Sequence, residues 1–264
     1  MHFEETATYY MPVSFGPARP LKAAVFEDVL SLATLYTTDK DMLAALLPPP
    51  FEPVDEPVVT VYFRKCSKVN ILAGGSYSMM GLDLATYFNG KQDQVSGNYA
   101  LVLWENDVFN TIRGRELLGV PKILADIPDP YRMGNNWRVQ ASENGRLLLN
   151  MSIKNVQPMS EQAIAQMNAG QKSKHWMSWR YFPNVNGIGA ALSQATLIGW
   201  EHTITEAWAG EGSIQYGDAS WETNPMSGDI LTELKKRLVV KEYVGGTVTN
   251  GSATLTRALH RVLQ

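Results

Sequence analysis

Lys122 stands directly after Gly119-Val120-Pro121 and directly before the apolar run Ile123-Leu124-Ala125. Glycine tolerates unusual backbone angles and proline fixes φ at about −65°, so the lysine leaves a stiff corner. The apolar flank is expected to keep its ammonium from bulk water, and burial disfavours the charged form of a lysine. A neutral amine attacks a ketone and makes an imine, an electron sink for breaking or forming a neighbouring carbon–carbon bond. Most lysines are merely solvated surface charges, so the reading depends on what surrounds Lys122. Arg115 and Glu116, shortly upstream, are expected to form an ion pair that seats the preceding helix and the loop.

Other chemistries find less support. Cys66 is the sole cysteine and has no evident base, and no Gly-x-Ser-x-Gly elbow exists for a hydrolase. His2, His175, His202 and His260 lack metal-ligand spacing, so neither a metal nor another cofactor is expected. Gly187-Ile188-Gly189 and Gly245-Gly246 lack the Lys-Ser/Thr sequel of a phosphate loop. A formal net charge of −3, without a basic stripe, argues against nucleic acid. No apolar run approaches the roughly 18 residues of a membrane span, and the acidic N-terminus does not look like a signal peptide. A cytoplasmic protein is the resulting expectation.

The elements that must position the lysine follow from pattern and punctuation. Residues 1–24, with Pro12, Gly16, Pro17 and Pro20, read as an extended arm. Val29 to Thr37, Val58 to Cys66, Tyr99 to Glu105 and Leu147 to Val156 read as strands, the last preceded by an Asn144-Gly145 hairpin signal. Thr38-Asp39 caps a helix through Leu47, stopped by Pro48-Pro49-Pro50. Asn106-Asp107 caps another that runs to Leu118 and ends at Gly119, with Lys122 opening the next strand. Ser160 to Ala169 and Asp229 to Leu238 read as further helices, and Ala191 to Tyr216 and Val239 to Thr249 as strand. The sum is one α+β domain over residues 1–264, mainly antiparallel β with few helices.

Four blocks in order resemble the acetoacetate decarboxylase family. They are Tyr36-Thr37-Thr38-Asp39 with Pro48, Pro50 and Phe51-Glu52-Pro53; the Gly-Arg-Glu helix end leading to Gly119-Val120-Pro121-Lys122; Phe182-Pro183-Asn184-Val185-Asn186-Gly187; and Glu206-Ala207-Trp208-Ala209-Gly210. The resemblance spans most of residues 30–217. It implies a β-rich cone or barrel with an apolar interior, Lys122 as the imine lysine, a small-molecule carbonyl substrate and a homo-oligomer.

The chain also departs from that pattern. The family's second lysine is replaced by Ile123, so only desolvation, or the approach of Arg113 or Arg115, is left to activate Lys122. The family's core-strand arginine and two glutamates fall on Val29, Tyr62 and Met79, which with Tyr77 would give an apolar, adaptable pocket wall. Losing a general acid costs about 10²- to 10⁴-fold. The expectation is therefore a Schiff-base carbon–carbon lyase of the aldolase-dehydratase kind, or a decarboxylase of a bulkier keto acid. The alternative is a ligand-binding member of the fold that has lost catalysis.

Overall fold

The computed structural model of the protein describes residues 2–172 and 175–264. Its strands are β1 (Ala23–Thr37), β2 (Phe51–Pro53), β3 (Val58–Val69), β4 (Gly75–Asn89), β5 (Gln94–Glu105), β6 (Lys122–Leu124), β7 (Tyr131–Met133), β8 (Asn136–Glu143), β9 (Arg146–Pro158), β10 (His175–Pro183), β11 (Ala190–Ile198), β12 (Trp200–Tyr216), β13 (Glu242–Thr256) and β14 (Arg261–Val262). The helices are α1 (Lys40–Ala44), α2 (Val108–Arg113), α3 (Glu161–Lys172) and α4 (Gly228–Arg237). None is long and apolar enough to cross a membrane among the described residues.

The strands join one sheet in the order β14-β11-β10-β5-β4-β3-β1-β13-β12-β9-β8-β7, with β2 on β4 and β6 on β5. Neighbours pair antiparallel except β5 with β6 and with β10. The expected mainly antiparallel α+β fold is present. A closed barrel is not, because β7 and β14, at the two ends of the path, are very short and do not pair with each other.

Side-chain alternation divides the sheet between two apolar clusters, as strand geometry requires. From β3, β4 and β5, Val61, Phe63, Met80, Leu82, Val102 and Trp104 enter the larger one. Tyr62, Cys66, Tyr77, Met79 and Leu103 face the other way, into a smaller cluster with Phe26 and Val29 of β1. This smaller cluster borders the lysine.

Local signals explain the boundaries. Asp39 Oδ1 accepts from the backbone N–H groups of Asp41 and Met42, starting α1 as expected, but the regular helix ends at Ala44. The Leu46 and Leu47 N–H groups then tighten into i→i−3 turns ahead of the prolines. Asn144 and Gly145 both have positive φ, as a two-residue hairpin between β8 and β9 demands. β1 begins at Ala23 rather than Val29, because residues 23–26 find partners on β13.

Candidate active site

Asp107 caps α2 by accepting from Asn110 N–H at 2.7 Å. The expected helix to Leu118 is interrupted: after Arg113 the chain makes a π-helical turn over Gly114–Leu118. Gly114 supplies a reason. A Cβ on it would lie 2.5 Å from Lys122 Cε, so the widened turn lays bare backbone against the lysine side chain. Gly119 then adopts φ 76°, where a Cβ would also meet Arg180 Cα at 2.5 Å. Both position and dihedral require glycine.

The corner is clamped from the sheet. Ser178 Oγ donates to the Gly119 carbonyl at 2.8 Å and Thr196 Oγ1 to the Leu118 carbonyl at 2.7 Å. Arg115 Nη1 donates to the carbonyl of Lys122 itself at 2.8 Å. Arg115 thus supports the lysine segment, and the ion pairs among the described residues do not include one between it and Glu116. Glu116 contributes instead to the electrostatic environment of Arg180, whose guanidinium burial pulls downward from its usual pKa.

β6 lies parallel on β5, with Lys122 opposite Leu103. Leu103 and Glu105 share a face by alternation, and that register carries Lys122 to Glu105. The lysine is 9% exposed, and its Nζ sits 2.7 Å from Oε2 of Glu105, whose side chain is wholly buried. Nζ also donates to the Asn110 carbonyl at 3.2 Å and stands 5.9 Å from the centre of the Tyr77 ring. Among the described residues no other group donates to either Glu105 oxygen. Burial raises the Glu105 carboxyl above its usual range, and the charge of Lys122 only partly offsets this.

Lys122 opens onto a cleft whose walls include Phe26 and Tyr77, together with Tyr10 and Leu21 of the N-terminal arm. Of the four residues expected to form the pocket wall, Tyr77 lines this cleft. Val29, Tyr62 and Met79 are buried in the smaller cluster and do not line it. The same sheet face carries a further acid, Asp83, pushed up to about 7 by burial against the opposing pulls of Arg64, Trp176 and Tyr62. Arg64 stacks on Tyr62 and Trp200. The interior is therefore apolar only in part.

Residues 10–263 match the family model for acetoacetate decarboxylase. The chain belongs to that family. An acetoacetate decarboxylase of Burkholderia cenocepacia is 32% identical over 117 residues, a stretch that covers 44% of each chain. The chain thus spans under half the length of the curated relatives it matches. Solved structures match further: one from a study of acetoacetate decarboxylase covers 96% of this chain and 93% of its own, with a TM-score of 0.77 at 21% identity. The Legionella pneumophila acetoacetate decarboxylase covers 100% and 98%, with a TM-score of 0.74 at 19% identity. The enduracididine biosynthesis enzyme MppR, complexed with pyruvate, covers 98% of each chain, with a TM-score of 0.68 at 15% identity. At such identities the likeness speaks for the fold.

Within the acetoacetate decarboxylase family pattern, Ile123 reads differently in three dimensions. It packs into the larger cluster, on the opposite face of β6 from Lys122, so it removes no charge from the lysine's own surroundings. Glu105, expected only as the last residue of the strand Tyr99 to Glu105, is the group beside Lys122 that the sequence does not single out. The signal was period-two alternation, Leu103 and Glu105 against Val102 and Trp104, though only the β5–β6 register aims it at Lys122.

Proposed function

We propose that the protein is a carbon–carbon lyase that acts on a keto acid or related carbonyl compound through an imine on Lys122. The buried 2.7 Å contact between Lys122 Nζ and Glu105 Oε2 carries this reading. Lysines activated by a desolvated pocket or a neighbouring cation form such imines, acetoacetate decarboxylase being the standing example. Here a carboxyl group stands beside the amine in place of a cation.

An isolated charge is costly in such an interior, but passing one proton from Nζ to Oε2 leaves two neutral groups. The free amine attacks the ketone carbon, and Glu105 returns its proton to the carbinolamine hydroxyl, which departs as water. The resulting iminium accepts the electron pair of the breaking carbon–carbon bond and becomes an enamine. Protonation at carbon, or condensation with an aldehyde followed by loss of water, completes either branch. Water then hydrolyses the imine. Glu105 can serve proton transfer in both branches, so the absence of acids at Tyr62 and Met79 does not exclude decarboxylation. Pyruvate in the related MppR structure supports a small keto acid as ligand.

Borohydride reduction with acetoacetate, pyruvate or a bulkier keto acid is expected to fix the corresponding mass on the peptide containing Lys122. Carbon dioxide release from acetoacetate, against condensation of pyruvate with an aldehyde, separates the branches. No adduct with any carbonyl compound, or equal trapping in Lys122→Ala, would overturn the proposal.

A further inference from the structure

The cleft above Lys122 is lined by Arg19 of the arm, Arg113 of α2, Arg257 of the turn after β13, and His260, and among the described residues no aspartate or glutamate lines it. This runs against the balance of a chain with 26 acidic and 23 basic residues. Elsewhere arginines find carboxylates: Arg237 pairs with Glu233 and Arg261 with Asp93. Among the described residues none of the three cleft arginines has a carboxylate within 4 Å.

Their existing contacts leave donors spare. Arg257 Nη2 donates to Thr8 Oγ1 at 2.7 Å, while Arg113 Nε reaches Tyr10 Oη at 3.4 Å and its guanidinium stacks on Tyr10 and Phe109. Each guanidinium carries five N–H donors in a planar fork suited to carboxylates. His260 Nδ1 accepts from Gly199 N–H at 2.9 Å, which puts the proton of the neutral ring on Nε2 as one more donor. The imine chemistry needs none of these groups, and one substrate carboxylate leaves most of this positive charge unanswered.

We propose that the cleft selects keto acids bearing a second carboxylate, whose anionic end is held by Arg19, Arg113 and Arg257 while the ketone reaches Lys122. This substrate class rests on the imine reading of Lys122, but the arginine subsite can be measured without it. The cations come from three separated parts of the chain and converge on the cleft that Lys122 also lines. Arg19 and Arg257 are exposed and Arg113 is half-buried, so the charge of the cleft is open to a ligand arriving from solvent.

The test has two arms. In the first, borohydride trapping on Lys122 is titrated with matched acids, pyruvate against 2-oxoglutarate and acetoacetate against 3-oxoadipate. The dicarboxylates are expected to reach half-maximal trapping at a concentration about tenfold lower, as one charge-assisted contact allows. Arg19→Met with Arg257→Met is expected to shrink that ratio toward one, Arg257→Lys to keep part of it, and exposed Lys235→Met to leave it intact. Equal trapping of mono- and dicarboxylates, or an unchanged ratio in the double variant at an unchanged melting temperature, would overturn the subsite.

In the second arm, calorimetry on Lys122→Ala, which cannot form an imine, measures glutarate, butyrate and inorganic phosphate. Glutarate binding that is lost in the arginine double variant supports the subsite even if no carbonyl compound is trapped by the parent. Binding of phosphate alone, or of no anion, overturns it.

Discussion

Gly114→Ala should silence the lysine while sparing the fold. The new Cβ would fall 2.5 Å from Lys122 Cε, 2.6 Å from Cδ and 3.0 Å from Nζ, where ordinary contacts begin at 3.4 Å. Relief of that overlap moves the lysine side chain by about 1 Å, and a displacement of that size costs about 10²-fold in rate, or about 3 kcal/mol of barrier. The backbone cost has the opposite sign. Gly114 has φ −63° and ψ −40°, which alanine adopts freely, and a glycine-to-alanine change in helical backbone contributes about 0.5–1 kcal/mol of stability. The variant should therefore show a melting temperature equal to or above the parent's, with borohydride trapping on Lys122 slowed about a hundredfold. Trapping within about threefold of the parent would refute the steric reasoning. Loss of stability in step with loss of reactivity would show that Gly114 serves the fold rather than the nucleophile.

Glu105→Gln keeps the shape of the side chain but removes the carboxyl proposed to exchange a proton with Lys122; imine formation should fall by about 10²- to 10⁴-fold, read by trapping rate with circular dichroism as the control. Asp83, raised to about 7 in the folded chain against an ordinary 3.8, holds a proton that the unfolded chain has released between those values. Its contribution to stability is full below about pH 3.8 and is lost as the pH rises through 7, on the order of 4 kcal/mol in total. In denaturant titrations Asp83→Asn should flatten this decline and raise stability at pH 8, and an unchanged pH profile would count against it. Gly119→Ala forces a side chain into left-handed backbone against Arg180 Cα and should cost at least about 1–3 kcal/mol, seen as a lower melting temperature.

Much of this architecture was legible along the chain, and the rest failed for identifiable reasons. Caps at Asp39 and Asp107, the Asn144-Gly145 turn and the left-handed glycine before Lys122 are local features, and local chemistry announced them. Sheet closure is not local, and the barrel expectation failed at the short end strands. Val29, Tyr62 and Met79 illustrate the same limit. Alternation gives their face of the sheet, but not which stretch of that face borders the cleft, because this depends on where α2 and the arm cross it. Glu105 and the three arginines were missed because their roles arise from pairings and crossings between segments remote in sequence.

The hydroxyl clamp on the lysine corner bears on when the amine becomes functional. Ser178 and Thr196 lie 59 and 78 residues beyond the carbonyls they hold, on strands made well after β6. During synthesis Lys122 emerges long before β10 and β11, and until those strands dock its corner lacks two of its fixed points. Arg257 and His260 emerge later still. The amine is thus assembled late, by contacts of high sequence separation that form slowly. A nascent chain or a fragment ending before residue 175 carries the proposed nucleophile in its sequence but has not yet built the corner that holds it.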